Sequence, residues 1–89
     1  MAKLEGKVAL ITGAAVGLGE GIAEVYAKYG AKMCMVDLSP EVEKTADRLR
    51  KEYGADIITY VGNVADKAQM KEAAAKTAEK FGEINVCCC

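Results

Sequence analysis

The sequence predicts an α/β fold, with a parallel sheet and helices on both of its faces. Three observations carry that expectation: short apolar runs alternate with helical stripes, each stripe closes on a glycine, and whole helices separate successive runs. Strands joined through helices are parallel neighbours linked by right-handed crossovers, so the predicted order is β-α-β-α-β-α-β. The 89 residues are expected to form one domain.

The first run, Val8-Ala9-Leu10-Ile11, has the length and composition of a buried strand. Leu18, Ile22, Val25, Tyr26 and Tyr29 then recur at helical spacing, which predicts a first helix with this stripe in the core. Met33-Cys34-Met35-Val36 is the second strand, and Val42, Ala46, Leu49 and Tyr53 are the core face of the second helix. Ile57-Ile58-Thr59-Tyr60-Val61 is the third strand. Met70, Ala74, Thr77 and Phe81 mark the third helix, and a fourth strand is expected to start at Ile84. Tyr29-Gly30, Tyr53-Gly54 and Phe81-Gly82 each place a glycine where the last helical carbonyls need a left-handed cap. Ser39-Pro40 reads as N-cap and first residue of the second helix, and Asp66-Lys67-Ala68-Gln69 as a capping box for the third.

Composition excludes several function classes. With 52% hydrophobic residues and a net charge of -1, the chain has too much apolar content for disorder. Its 12 basic residues are offset by 13 acidic ones without a basic run, which argues against nucleic-acid binding. No apolar run approaches the ~18 residues of a membrane span, and Met1–Gly6 is too polar for a signal peptide. The expectation is a soluble cytoplasmic protein. Cysteines at 34, 87, 88 and 89, with no histidine and no Cys-x-x-Cys, suit neither a disulfide scaffold nor a metal site. Cys34 reads as a small buried hydrophobe, and Cys87–Cys89 as part of the fourth strand.

The informative segment is Thr12-Gly13-Ala14-Ala15-Val16-Gly17-Leu18-Gly19, between the first strand and the first helix. A phosphate there would be held by free backbone N–H groups and the positive end of the helix dipole, and glycine lets it approach. A literal G-x-G-x-x-G fails, because Ile22 stands at its last position, and no Gly-Lys-Ser/Thr occurs. What stands is T-G-x-x-x-G-x-G. An ordinary glycine-rich turn is the alternative, and its position within a βαβ unit favours the phosphate. The second strand ends at Asp37, where dinucleotide folds place an acid on the adenosine ribose hydroxyls. At ~4 Å a carboxylate and a 2′-phosphate charge repel by about 1 to 4 kcal/mol, which favours NAD over NADP. A helix-capping role for Asp37 is the alternative, although Ser39 already serves the following helix.

With these residues the whole chain resembles the N-terminal part of a short-chain dehydrogenase/reductase. The resemblance rests on Gly6-Lys7-Val8-Ala9-Leu10-Ile11-Thr12-Gly13, the glycine loop, Asp37, and Phe81-Gly82-Glu83-Ile84-Asn85-Val86. It implies a Rossmann-like doubly wound sheet of strand order 3-2-1-4, truncated after the fourth strand. Residues 1–89 would be the N-terminal part of an NAD(P)-binding domain. It also implies hydride transfer between a nicotinamide cofactor and an alcohol or carbonyl substrate, in a homo-oligomer, dimer or tetramer. By resemblance Gly13, Gly17, Leu18 and Gly19 line the pyrophosphate, Asp37 holds the ribose, and Asn63 and Val64 contact adenine. Asn63 stands where the family usually has Asp, and its amide oxygen can still accept from the adenine amino group.

The family's catalytic Ser, Tyr and Lys have no counterpart here. None of Tyr26, Tyr29, Tyr53 and Tyr60 is followed four residues later by Lys, so no catalytic residue is assigned. The expectation is the adenosine-binding half of a longer NAD-dependent enzyme, inactive alone. A non-catalytic dinucleotide-binding module and a truncated remnant are the alternatives. A flavodoxin-like or receiver-like domain shares the alternation but gives no reason for the glycine loop.

Overall fold

The computed structural model describes residues 5–14, 17–63 and 65–88. Its elements are β1 (Val8–Thr12), α1 (Gly17–Lys28), β2 (Lys32–Asp37), α2 (Glu41–Tyr53), β3 (Ile57–Val61), α3 (Lys67–Phe81) and β4 (Val86–Cys88). The strands form one parallel sheet in the order β3-β2-β1-β4, a Rossmann-like arrangement with the crossovers the alternation requires. Leu10 pairs with Cys34 on one side and Cys87 on the other.

Because side chains alternate along a strand, each strand feeds two cores. Ala9 and Ile11 of β1 join Met33 and Met35 of β2 beneath α1 and α2. Leu10, Cys34 and Val36 face the other way, against Ala73 of α3. Both central strands are therefore apolar at every inner position, as a sheet covered on both faces demands. Burial also pushes the Cys34 thiol pKa above its ordinary value. Among the described residues no helix is long and apolar enough to cross a membrane.

Helix α2 buries Val42, Ala46 and Leu49 as expected, with Tyr53 half-buried beside them. In α3 the contact centres on Ala73 and Thr77, whose hydroxyl donates to the Ala73 carbonyl at 2.7 Å, while Met70 and Ala74 pack at its flank. Helix α1 departs from its predicted stripe. Leu18 is 82% and Val25 48% exposed, and the helix docks instead through Ala23 and Ala27, with Ile22 and Tyr26 partly buried. Gly19, Ala23 and Ala27 form a row of small residues at four-residue spacing, so α1 lies closer to the sheet than a bulky stripe would permit.

The helix ends are mostly as read. Gly54 and Gly82 adopt left-handed conformations and return their N–H groups to Arg50 and Ala78 carbonyls. The Ser39 hydroxyl accepts the Glu41 N–H at 3.2 Å, and Pro40 is already helical. Asp66 caps α3 by accepting from Ala68 and Gln69, but the capping box does not close. The Gln69 side-chain oxygen accepts the Asn63 N–H instead. The fourth strand begins at Val86 rather than Ile84, because Asn85 pairs with Val8 partly through its side chain. Its Oδ1 accepts the Val8 N–H while its own N–H donates to the Val8 carbonyl, both at 2.8 Å.

Helices α1 and α2 are clasped on their outer sides. Arg48 reaches Glu20 at 3.2 Å, Glu24 at 3.4 Å and Glu52 at 3.0 Å, and the Tyr53 hydroxyl donates to Glu24 at 2.9 Å. That last bond, more than any other influence, pushes the Tyr53 pKa up to about 12, and it holds the Glu24 pKa below its ordinary value. The clasp is thus intact between these limits. It weakens as pH rises through about 12, and as pH falls through the lowered carboxylate value. In a phenolate absorbance titration, Glu24→Gln should move one tyrosine step from about 12 towards the ordinary value near 10, and Tyr53→Phe should delete that step.

Candidate functional site

Of the predicted site residues, Gly13, Gly17, Leu18, Gly19, Asp37 and Asn63 lie at or beyond the carboxyl ends of β1, β2 and β3. β1 ends at Thr12, and Gly13 turns the chain with φ of +63°, a conformation that side chains other than glycine rarely adopt. Gly17 has φ of +66°, and at both glycines a Cβ would stand in open space. Gly19 differs. A Cβ there would strike the Gly13 carbonyl oxygen and lie 2.6 Å from its carbon. The three glycines therefore differ: Gly13 and Gly17, the candidate anion cradle, take left-handed backbone with open space where a Cβ would stand, and Gly19 lets α1 rest on the β1 turn. Leu18, at the start of α1, lies in solvent.

The cradle is joined to the second cluster by backbone hydrogen bonds. Ala14 is fully buried, and its N–H donates to the Val36 carbonyl at 3.3 Å. Asp37 follows, and its carbonyl accepts the Gly62 N–H at 2.9 Å. The Asp37 carboxylate is oriented by the Ser39 N–H, which donates to Oδ1 at 2.9 Å. So Asp37 does assist the turn into α2, the alternative role considered for it, and this bond fixes where its charge stands. Asn63 comes one residue after Gly62. Its Oδ1 accepts the Ala65 N–H at 2.9 Å and its carbonyl accepts the Asp66 N–H at 3.0 Å. Val64 lies outside the described residues.

Two features of this end were not read from the sequence. Leu38 is 67% exposed beside Asp37, and Val61, in register with Asp37, is also exposed, so apolar surface flanks the carboxylate. A bulky apolar residue immediately after a strand-terminal acid was the available signal. The other feature is Glu20, an acid in the first turn of α1, where it would repel an incoming anion. Arg48 on α2 takes up that carboxylate, a pairing across 28 residues with no local sequence signature.

A glycine cradle, a helix start and a fixed strand-end carboxylate thus share one end of a doubly wound sheet. The family model described as short chain dehydrogenase matches residues 7–88. The chain belongs to the short-chain dehydrogenase family. It is 45% identical over 86 residues to the oxidoreductase UcpA of Escherichia coli K12, covering 97% of this chain and 32% of that one. It is 42% identical over 87 residues to D-threitol dehydrogenase of Mycolicibacterium smegmatis, covering 94% and 32%. Among solved structures, L-sorbose reductase from Gluconobacter frateurii, complexed with NADPH and L-sorbose, superposes with a TM-score of 0.90 at 28% identity, covering 97% of this chain and 33% of that one. Carveol dehydrogenase from Mycobacterium avium, in complex with NAD, gives 0.90 at 29% identity, covering 98% and 36%. The chain spans about a third of the length of these short-chain dehydrogenases.

Glycine requirements separate in a simple comparison. Gly19→Ala should destabilise the fold by about 1 to 3 kcal/mol, because the added methyl meets backbone that cannot move aside. Gly21→Ala, in the same helix with nothing within 4 Å of the new methyl, should stabilise it by about 0.5 to 1 kcal/mol. Denaturant unfolding of both variants measures the difference.

Proposed function

We propose that this chain forms the adenosine- and pyrophosphate-binding part of an NAD-dependent oxidoreductase. The observation that carries the reading is the Asp37 carboxylate, fixed by the Ser39 N–H at the end of β2 and tied through Val36 and Ala14 to the glycine cradle. An anion fits that cradle: no Cβ would be needed where Gly13 and Gly17 are open, and α1 presents its N-terminus there. Gly13, Gly17, Leu18 and Gly19 hold the pyrophosphate through the backbone. Asp37 accepts from the ribose hydroxyls, Asn63 and Val64 meet the adenine edge, and Leu38 offers an apolar surface to the flat base.

A bound nicotinamide supplies the acceptor or donor of a hydride, for exchange with an alcohol or carbonyl substrate. The 89 residues contain no Tyr-x-x-x-Lys, so proton transfer and substrate positioning fall to the rest of a longer, cytoplasmic, homo-oligomeric protein. Relatives about three times as long support that division.

Titration calorimetry of the chain with NAD and NADP tests the assignment. NAD should bind saturably and roughly tenfold to several-hundredfold more tightly, since ~4 Å separates the two charges in the NADP case. Asp37→Ala should weaken NAD and narrow that gap, because it removes both acceptors and the repelling charge. A variant that kept the parent's discrimination would show that Asp37 does not read the ribose. Hydride transfer by the purified 89-residue chain should be absent, and its detection would overturn the division of labour.

A further inference from the structure

The β3–α3 connection carries an arrangement that the capping-box pattern did not foretell. Gln69, half-buried in the first turn of α3, turns away from the Asp66 N–H and reaches back six residues. Its Oε1 accepts the Asn63 N–H at 2.7 Å, while its Nε2 donates to Asp66 Oδ2 at 3.4 Å. Gly62 makes room for this. A Cβ on Gly62 would strike the Tyr60 ring and lie 2.6 Å from the Gln69 Oε1, so a side chain there would displace the ring, the carboxamide or both. The Gly62 N–H meanwhile donates to the Asp37 carbonyl. Gln69 therefore joins the N-cap of a rigid helix to the residue that follows the Asp37 contact, and Asn63 is held from three directions: by Gln69 at its N–H, by Asp66 at its carbonyl and by Ala65 at its Oδ1.

Resting on the dinucleotide reading above, we propose that Gln69 is the positioning residue for base recognition by Asn63. An exposed asparagine on a connecting loop samples several rotamers, and a hydrogen bond to a freely moving side chain gives little preference between bases. Fixing the backbone N–H of Asn63 and engaging one lone pair of Oδ1 with Ala65 leaves the second lone pair in a defined direction. That lone pair is the acceptor for the 6-amino group of adenine. Gln69 itself touches no base and acts only through the loop.

The test is equilibrium binding of NAD, NADP and deamino-NAD, in which hypoxanthine replaces adenine and no 6-amino group is present. The 89-residue chain should prefer NAD over deamino-NAD by about threefold to tenfold, the range of one neutral hydrogen bond. Gln69→Ala should reduce that preference to about one, while the NAD over NADP preference, set by Asp37 on another strand, stays at the parent's value. Gln69→Met keeps the length of the side chain without an acceptor for the Asn63 N–H and should lose the base preference as Gln69→Ala does. A general loss of stability would weaken all three ligands together and leave both ratios unmoved. Retention of the base preference by Gln69→Ala overturns the role of Gln69. Absence of that preference in the parent chain, with NAD still bound, overturns base reading by Asn63 and leaves the dinucleotide reading standing. Failure to bind NAD at all refutes both.

Discussion

The contact between Gly19 and the Gly13 carbonyl sets the geometry of everything around it. Backbone rests on backbone there, so α1 sits deeper on the sheet than side chains of ordinary size would allow. That depth selects the small residues Ala23 and Ala27 as the docking face and turns Leu18 and Val25 outward. It also sets where α1 starts relative to the ends of β1 and β2. The same glycine that fixes the packing would also fix the anion cradle proposed above, which would couple stability and binding at one position.

Electrostatics at this end follow from who pairs with whom. Glu20 favours its own helix as an acid in the first turn, but it stands where an anion would approach. Arg48 resolves the conflict by taking that carboxylate together with Glu24 and Glu52. Such exposed pairs contribute little to folding free energy. Their effect is on the field at the cradle, where the acid nearest the glycine loop is answered by a cation. The Asp37 carboxylate, at the end of β2, is oriented by the Ser39 N–H.

Much of the fold was legible because the alternation of strand and helix is a matter of period and punctuation, which local sequence carries. The parallel pairing and the buried face of α2 follow from it, whereas the strand order 3-2-1-4 rested on the family resemblance. The misreadings share a cause in tertiary approach. A helix stripe names the apolar residues available, and the sheet then chose Ala23 and Ala27 over Leu18 and Val25 because backbone proximity outweighed side-chain size. Asn85 displaced the start of β4 through its side chain, and Gln69 left its capping box for Asn63, both choices between partners that spacing cannot rank. At the site, Gly13, Gly17, Gly19 and Asp37 stood out in the sequence because each answers a local backbone demand or closes a strand. Leu38 and Glu20 did not, since exposure and a partner 28 residues away belong to the folded chain alone.

The Asn85 clasp on Val8 has a consequence for the order in which the sheet assembles. Val8 meets Lys32 across 24 residues but Asn85 across 77. Closing the longer loop costs about 1 kcal/mol more in chain entropy, and the β4 ladder that repays it is only three residues long. That difference favours pairing of β1 with β2 through α1 before β4 is added. Asn85 serves that late event as a latch: by supplying an acceptor from its side chain and a donor from its backbone to the same residue, it permits one alignment of β4 and refuses a slip that would turn every side chain of that strand to the wrong face.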